Sequence, residues 1–215
     1  MTKLDLHIHT EYSSDAITTI REVLKISRAR DLNFIAITDH NTTKGAFNAL
    51  KLSDDVTVIP GVEISTKYGH IIALNITEKF EVNLKIDIYE IIDNIHKDGG
   101  LVIIAHPFDI LSPFKGIKHA INYVDGIELA NASTLNYSSQ IKRGKQLLSS
   151  YQHLGFTAGS DSHIPDTIGD TILYHPDQLA TIDDVISYII RRKFTVMGKR
   201  TSLKNRIKKL IYTLL

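Results

Sequence analysis

Leu4-Asp5-Leu6-His7-Ile8-His9-Thr10 is the stretch whose reading decides the fold. Side chains alternate along a strand, so His7 and His9 share one face while Leu6 and Ile8 share the other. The aliphatic face belongs in a packed layer. Two imidazoles about 7 Å apart along a strand can share one metal ion. Alone, a His-x-His pair reads equally as surface or hydrogen-bonded histidines, but this pair is not alone. Thr38-Asp39-His40, Gly61-Val62-Glu63, Gly69-His70, Ala105-His106-Pro107 and Gly159-Ser160-Asp161-Ser162-His163 all fall where later strands would end.

Outward from that stretch, strand and helix alternate. A helix is expected from Thr19 to Arg30, an apolar strand over Asn33 to Thr38, a second helix over 42–52 capped by Thr42 or Thr43, and a strand from Val56 to Ile64 interrupted at Pro60-Gly61. Gly69 to Ile76 gives another strand, Ile86 to Lys97 a helix stopping at Asp98-Gly99-Gly100, and Leu101 to Ala105 a fully apolar strand. Residues 108–118 read as a loop, Gly126 to Ala130 as a strand, Tyr137 to Gln152 as a helix and Phe156 to Ser160 as a strand. The last third offers a helix over Ile182 to Arg192, a strand over Phe194 to Met197 and a basic helical tail. Short connections and continuous apolar strands predict an α/β fold with a mostly parallel sheet. Roughly seven such units favour a closed or nearly closed barrel, in which chemistry gathers at the C-terminal strand ends.

The chain has 215 residues, 43% hydrophobic and 23% charged, which suits one globular domain. A net charge of +1 favours no class of charged partner. With no cysteine, disulfides and thiolate metal sites are excluded, and any metal must sit on His, Asp and Glu. No apolar run approaches the ~20 residues of a spanning helix, and the N-terminus enters a strand with no signal-like region. The expectation is a soluble, cytoplasmic protein.

Six of ten histidines, His7, His9, His40, His70, His106 and His163, sit on inferred strands or their ends. His96, His119, His153 and His175 read as ordinary surface residues. Asp161 and His163 repeat the i, i+2 spacing of His7 and His9, and Glu63 points inward because Val62 and Ile64 pack outward. Asp15, in the loop after the first strand, reads either as a ligand or as a turn residue. Nine nitrogen and oxygen donors exceed the needs of one ion and suit two or three, with a carboxylate such as Glu63 bridging. Such clusters generate hydroxide near neutral pH and clamp the attacking and leaving oxygens of a phosphoryl group.

His7-x-His9, Thr38-Asp39-His40, Pro60-Gly61-Val62-Glu63, His70, Ala105-His106-Pro107 and Ser160-Asp161-x-His163 together resemble, in order and over about residues 4–163, the motifs of the PHP (polymerase and histidinol phosphatase) family. The resemblance implies a distorted (β/α)7 barrel over residues 1–200, a trinuclear metal centre and phosphoesterase activity. Carried over, His7, His9, Glu63 and Asp161 hold one ion, Glu63, His70 and His106 the second, and Asp15, His40 and His163 the third. Asp15 stands where some members have a histidine, which resembles the subgroup acting on nucleotides and small phosphate esters. The expected cofactors are two to three divalent ions, Mn, Fe or Zn, with Mg admitted.

The leading expectation is therefore a metal-dependent phosphoesterase acting on a small phosphate ester, a nucleotide or an oligonucleotide end through a hydroxide generated on the ions. Glu63, Asp161 and His163 are its expected catalytic residues. The competing readings are a non-catalytic partner-binding module, which should have lost several of the nine donors, and hydrolysis of a C–N bond, which would want a carbamylated lysine or a different ligand spacing. Lys44 and Arg143 are the expected substrate-binding cations, weighed with Lys115 and Lys142, and Phe108 or Phe114 could stack on a base or cover the barrel mouth. Residues 201–215 form a basic amphipathic helix. Its stripe, Leu203, Ile207, Leu210, Ile211, Leu214 and Leu215, is expected to pack on the barrel or a second subunit, leaving the cations in water.

Overall fold

A computed structural model describes residues 1–214; Leu215 and the side chains of residues 213 and 214 lie outside the described residues. The first half of the chain runs β1 (Thr2–Ile8), α1 (Ile20–Ala29), β2 (Phe34–Ile37), α2 (Lys44–Leu52), β3 (Thr57–Thr66), β4 (Gly69–Leu74), α3 (Ile88–Lys97) and β5 (Leu101–Ile104). The second half runs α4 (Ile117–Ala120), β6 (Gly126–Asn131), α5 (Tyr137–Ser150), β7 (Gly155–Gly159), a 3-10 turn (Pro165–Thr167), β8 (Thr171–His175), α6 (Ile182–Ile190), β9 (Thr195–Gly198) and α7 (Leu203–Leu214). Helix starts follow local chemistry. Thr19 with Glu22 and Thr181 with Asp184 form capping boxes, and the Asp87 carboxylate accepts the Tyr89 N–H.

The strands form one sheet in the order β7-β6-β5-β4-β3-β2-β1-β8-β9. β1, β2 and β3 are parallel, as are β5, β6 and β7. β4 is antiparallel to both its neighbours, and β8 and β9 are antiparallel additions. The expected mostly parallel sheet is thus mixed. The reason lies between Thr66 and Gly69, where two residues, Lys67 and Tyr68, leave no room for a crossover helix. β3 also runs unbroken through Pro60 and Gly61, where a Cβ on Gly61 would lie 2.8 Å from the Ala73 carbonyl oxygen of β4.

The sheet curls until its ends meet in a nearly closed, distorted (β/α)7 barrel. β8 pairs with the lower half of β1, Thr2 to Leu4, so the chain leaving β7 reaches only the upper end. There the Asp161 N–H donates to the His7 carbonyl at 2.8 Å and the His9 N–H to the Ser162 carbonyl at 2.9 Å. The buried Asp5 carboxylate ties the same seam from below, accepting the Ser160 N–H at 2.8 Å and the Gly169 N–H at 2.7 Å. Burial pushes its carboxyl up to about 6 against the pull of those hydrogen bonds. Outside β1 to β3, Val23 and Leu24 of α1 and Ala46 and Ala49 of α2 pack on Ile8, Ile35, Ile37 and Val58. The larger remainder of the core joins the other strands to α3, α5 and α6.

Three expectations about the chain's periphery change. The loop expected over 108–118 ends two residues early, where the short helix α4 begins at Ile117. His175, at the end of β8, is buried edge-on against the Tyr188 and Phe194 rings rather than lying on the surface. The tail helix does not pack its apolar stripe on the barrel: Leu203 is 74% exposed, Ile207 51% and Ile211 53%. Its cationic face packs instead. Arg206 donates to the carbonyls of Thr201, Ala132, Ser133 and Thr134 at 2.7–3.1 Å, and Lys208 pairs with Asp166 at 2.5 Å. The docked face is set by the four carbonyls that accept from the Arg206 guanidinium rather than by the aliphatic stripe. The side chains of Leu214 and Leu215 lie outside the described residues.

Gly159 is the residue the seam tolerates least. A Cβ there would lie 2.4 Å from the His7 Cβ and 2.7 Å from the His7 nitrogen, both held by β1. Gly159→Ala should destabilise the protein by about 1–3 kcal/mol, the cost of overpacking a rigid contact. Thermal denaturation checks this, and an unchanged melting temperature would contradict the seam as described.

Candidate metal centre

All nine residues expected as ligands converge at one mouth of the barrel, where the parallel strands end and the antiparallel β4 begins. His7 is the penultimate residue of β1 with His9 just beyond the strand, and Glu63 and His70 project from β3 and β4. His40, His106, Asp161 and His163 lie in the loops after β2, β5 and β7, and Asp15 in the loop after β1. The Glu63 carboxylate is the hub. One oxygen lies 3.1 Å from His70 Nδ1 and 3.1 Å from His106 Nε2, the other 3.0 Å from His40 Nδ1, 3.3 Å from His9 Nε2 and 3.5 Å from His7 Nε2. Asp161 Oδ1 is 3.3 Å from His9 Nε2 and 3.7 Å from His7 Nε2. Asp15 Oδ2 is 3.0 Å from His163 Nε2 and 3.6 Å from His40 Nε2.

Four imidazoles, those of His7, His9, His106 and His163, share one arrangement, Nδ1 tied outward and Nε2 aimed inward, whereas His40 and His70 turn Nδ1 towards Glu63. His7 Nδ1 lies 2.9 Å from Glu128 Oε1, and His9 Nδ1 3.1 Å from the Ser13 hydroxyl, which itself donates to Asp39. His106 Nδ1 faces the Ser112 carbonyl at 3.2 Å and His163 Nδ1 the Asp161 carbonyl at 3.0 Å. Acceptors at each Nδ1 put the proton there in the neutral ring, leaving a bare lone pair at Nε2. The His7 and His9 Nε2 atoms then face each other at 3.0 Å, a contact that only a proton or a metal ion between them makes favourable.

The charges state the same need. Burial would raise the Glu63 carboxyl, but His7, His106 and His40 hold it well below the usual carboxylate range. Asp161 is depressed despite burial by His7, His9 and His163. Burial disfavours an imidazolium at His7, yet Glu128, Asp161 and Glu63 raise it well above its ordinary value. Against burial, Asp15 and Glu63 lift His40 to about 10, and Glu63 lifts His106 to about 9. His163 falls to about 4 through burial and the charge of His9. Positive charge among the carboxylates is required, whether as protons or as metal ions.

The donor set fits divalent ions. His7, His9 and Glu63 form one compact group, Glu63, His70 and His106 a second, and His9, His40 and His163 a third, with ligand atoms in each within 4.8 Å of one another. Asp15 Oδ1 is buried without a hydrogen-bond partner, and His70 Nδ1 lies 3.1 Å from Glu63 without hydrogen-bond alignment, an under-satisfied pair of atoms that suits a ligand site. His106 and Asp161 hold left-handed backbone angles, φ of 26° and 51°, a strain that structures tolerate at functional positions. The angle at Asp161 means that Asp161 and His163 converge through a turn, not through the strand alternation expected for them.

The centre opens into a cleft of about 150 Å³, whose lining also includes Asp109, Ser112, Ser133, Thr134 and Lys209. A larger cleft of about 600 Å³, lined by Leu129, Tyr137, Ile141, Phe156 and Phe194 among others, presents no histidine or carboxylate. Lys44 and Arg143 do not line the metal cleft. Lys44 is exposed at the start of α2, and Arg143 stacks 4.3 Å from the centre of the Phe108 ring. Phe114 is buried against Tyr68, closed to a base. Sequence reasoning missed the outer supports. Glu128 holds His7 and accepts the His106 N–H at 2.8 Å, and Asn131 donates to both Glu128 and Asp161. Asp39 accepts from the Thr10 N–H and from the Thr10 and Ser13 hydroxyls. The signal for Glu128 was present, a lone carboxylate in the apolar run Ile127-Glu128-Leu129-Ala130.

Three similarities bear on this arrangement. The chain is 35% identical over 142 residues to an uncharacterized protein, MJ1587, of Methanocaldococcus jannaschii, covering 60% of this chain and 82% of that one. It is 26% identical over 202 residues to a probable phosphatase of Aeromonas hydrophila, covering 78% and 80%. Its fold matches a crystal structure of a two-domain protein from Bacteroides vulgatus containing a predicted PHP-like metal-dependent phosphoesterase, with a TM-score of 0.73 at 17% identity, over 99% of this chain and 69% of that one. Residues 5–199 match the PHP domain family, the barrel and its strand-end donors together, and the chain belongs to that family.

Proposed function

We propose that the chain is a metal-dependent phosphoesterase. The observation that carries the reading is the inward aim of four imidazole Nε2 atoms, those of His7, His9 and His106 at the Glu63 carboxylate and that of His163 at Asp15, each fixed by an acceptor at its Nδ1. Two or three divalent ions, Mn, Fe or Zn, are the cofactors that such donors suit. His7, His9, Glu63 and Asp161 would hold one, Glu63, His70 and His106 another, and His40, His163 and Asp15 a third. Bound ions would supply charge neutralisation for phosphoryl oxygens and an ionised water near neutral pH.

The chain's own residues do the rest. In hydrolysis a water oxygen bonds to phosphorus, the ester P–O bond breaks and the leaving oxygen gains a proton. Asp161, its Oδ2 held by Asn131 at 3.2 Å and its Oδ1 3.3 Å from His9 Nε2, lines the cleft and would accept a hydrogen bond from that water. Glu63 keeps the donor groups in register, and His163, neutral at pH 7, lines the same opening. The Ser112, Ser133 and Thr134 side chains offer a polar wall to the ester. The family membership and the likeness to a probable phosphatase support the same class of reaction.

Mn²⁺-loaded protein should hydrolyse p-nitrophenyl phosphate and carry two to three ions per chain by elemental analysis. Asp161→Ala should remove most activity and metal. Glu128→Gln, which frees the His7 ring, should cost about 10–100-fold in metal affinity or activity. His96→Ala, at an exposed ring paired with Asp125, should change neither. Less than one ion per chain after reconstitution would overturn the reading.

The ion-free centre holds protons on His40 and His106 up to about 10 and about 9, so an incoming ion must displace them at pH 7. These pKa values are raised, so the protons are fully bound at low pH and lost as pH climbs towards them. Apparent Mn²⁺ affinity should therefore rise by about tenfold per pH unit for each proton displaced, between pH ~6 and ~8. Calorimetry in buffers of different ionisation enthalpy reads the released protons. Constant affinity without proton release would contradict the assignment.

A further inference from the structure

α7 lies beyond the residues that match the family, and its docked face aims one side chain into the metal cleft. Among the described residues lining that cleft, Lys209 is the one lysine or arginine. It is partly buried, and its charge is close enough to act on His163. Two flanking contacts fix it there. Arg206, three residues earlier and on the same helical face, is locked to the carbonyls of residues 132–134, the loop that supplies Ser133 and Thr134 to the cleft. Lys208 is paired with Asp166, in the loop that follows His163. At the start of the helix the Ser202 hydroxyl accepts the Asn205 N–H at 3.2 Å.

We propose that α7 is the substrate-recognition element of this site, and that Lys209 binds a non-bridging oxygen of a terminal phosphate, selecting phosphate monoesters. The inference rests on the phosphoesterase reading and names its substrate class. A monoester brings two negative charges at neutral pH where a diester brings one, so an added ammonium at the cleft favours the monoester. The cleft is about 150 Å³ and α7 forms part of its rim, so a phosphate at the end of a molecule can enter while a phosphate inside a polymer needs two exits. Among the described residues, the other non-ligand side chains of the lining, Asp109, Ser112, Ser133 and Thr134, carry no positive charge.

The test uses the full-length, Mn²⁺-loaded protein with inorganic phosphate as the binding probe, read by calorimetry. p-Nitrophenyl phosphate and bis-p-nitrophenyl phosphate serve as substrates. Lys209→Ala should weaken phosphate binding by about tenfold or more, the loss of one charge-assisted contact, and should raise KM for the monoester more than it lowers kcat. Its metal content should stay that of the unaltered protein. Lys209→Arg should restore most of the phosphate affinity, and Lys204→Ala, exposed on the same helix, should behave as the unaltered protein. Equal phosphate affinity in Lys209→Ala and the unaltered protein would overturn the inference while leaving the phosphoesterase reading intact. Faster turnover of the diester than of the monoester would overturn the substrate class. Lys209-dependent phosphate binding without turnover of either ester would sustain the Lys209 site and overturn the phosphoesterase reading instead.

Discussion

Everything at the mouth of this barrel depends on the contact between two imidazole nitrogens, His7 Nε2 and His9 Nε2, 3.0 Å apart. Glu128 and Ser13 take the other nitrogen of each ring, so neither can rotate away or present an N–H to its neighbour. Protein groups of the same polarity are thereby forced together in a buried place. Such an arrangement is unfavourable on its own and becomes favourable with positive charge between the rings. The carboxylates of Glu63 and Asp161, both within 4 Å of these nitrogens, pull in the same direction.

Holding that contact requires a rigid seam. β7 meets β1 only at its upper end, through two backbone hydrogen bonds and the Asp5 carboxylate, because β8 has taken the lower half of β1. The place where the barrel closes is therefore the place where His7, His9, Asp161 and His163 come together. Gly159 lets the two backbones approach, and the left-handed turn at Asp161 then folds its carboxylate back over the histidines. Closure and ligand geometry are one feature, and a change that loosens the seam spreads the donors.

Much of this was legible in the sequence. Alternation put His7 and His9 on one face, apolar runs marked strands, and six histidines at strand ends marked the mouth. What local pattern could not carry was direction and depth. The orientation of β4 followed from a two-residue connection, a signal present but overshadowed by the alternation of strands and helices. The turn at Asp161 depends on a backbone angle that the residue type does not dictate. Amphipathicity showed that α7 has two faces but not which one docks, since the deciding partners of Arg206 are carbonyls about 70 residues away in the chain. Arg143 and Lys44 were chosen because they lie on or near the inferred active-site loops, whereas the cation lining the cleft, Lys209, comes from the tail.

The central claim is that the inward nitrogens and Glu63 form a metal centre. Anomalous diffraction at the manganese edge from crystals of Mn²⁺-loaded protein tests it most directly. The account predicts two or three peaks at the barrel mouth, at least one bonded to both His7 and His9 Nε2 and one bridged by Glu63. Full occupancy of manganese elsewhere, with the His7 and His9 rings unligated, would contradict it.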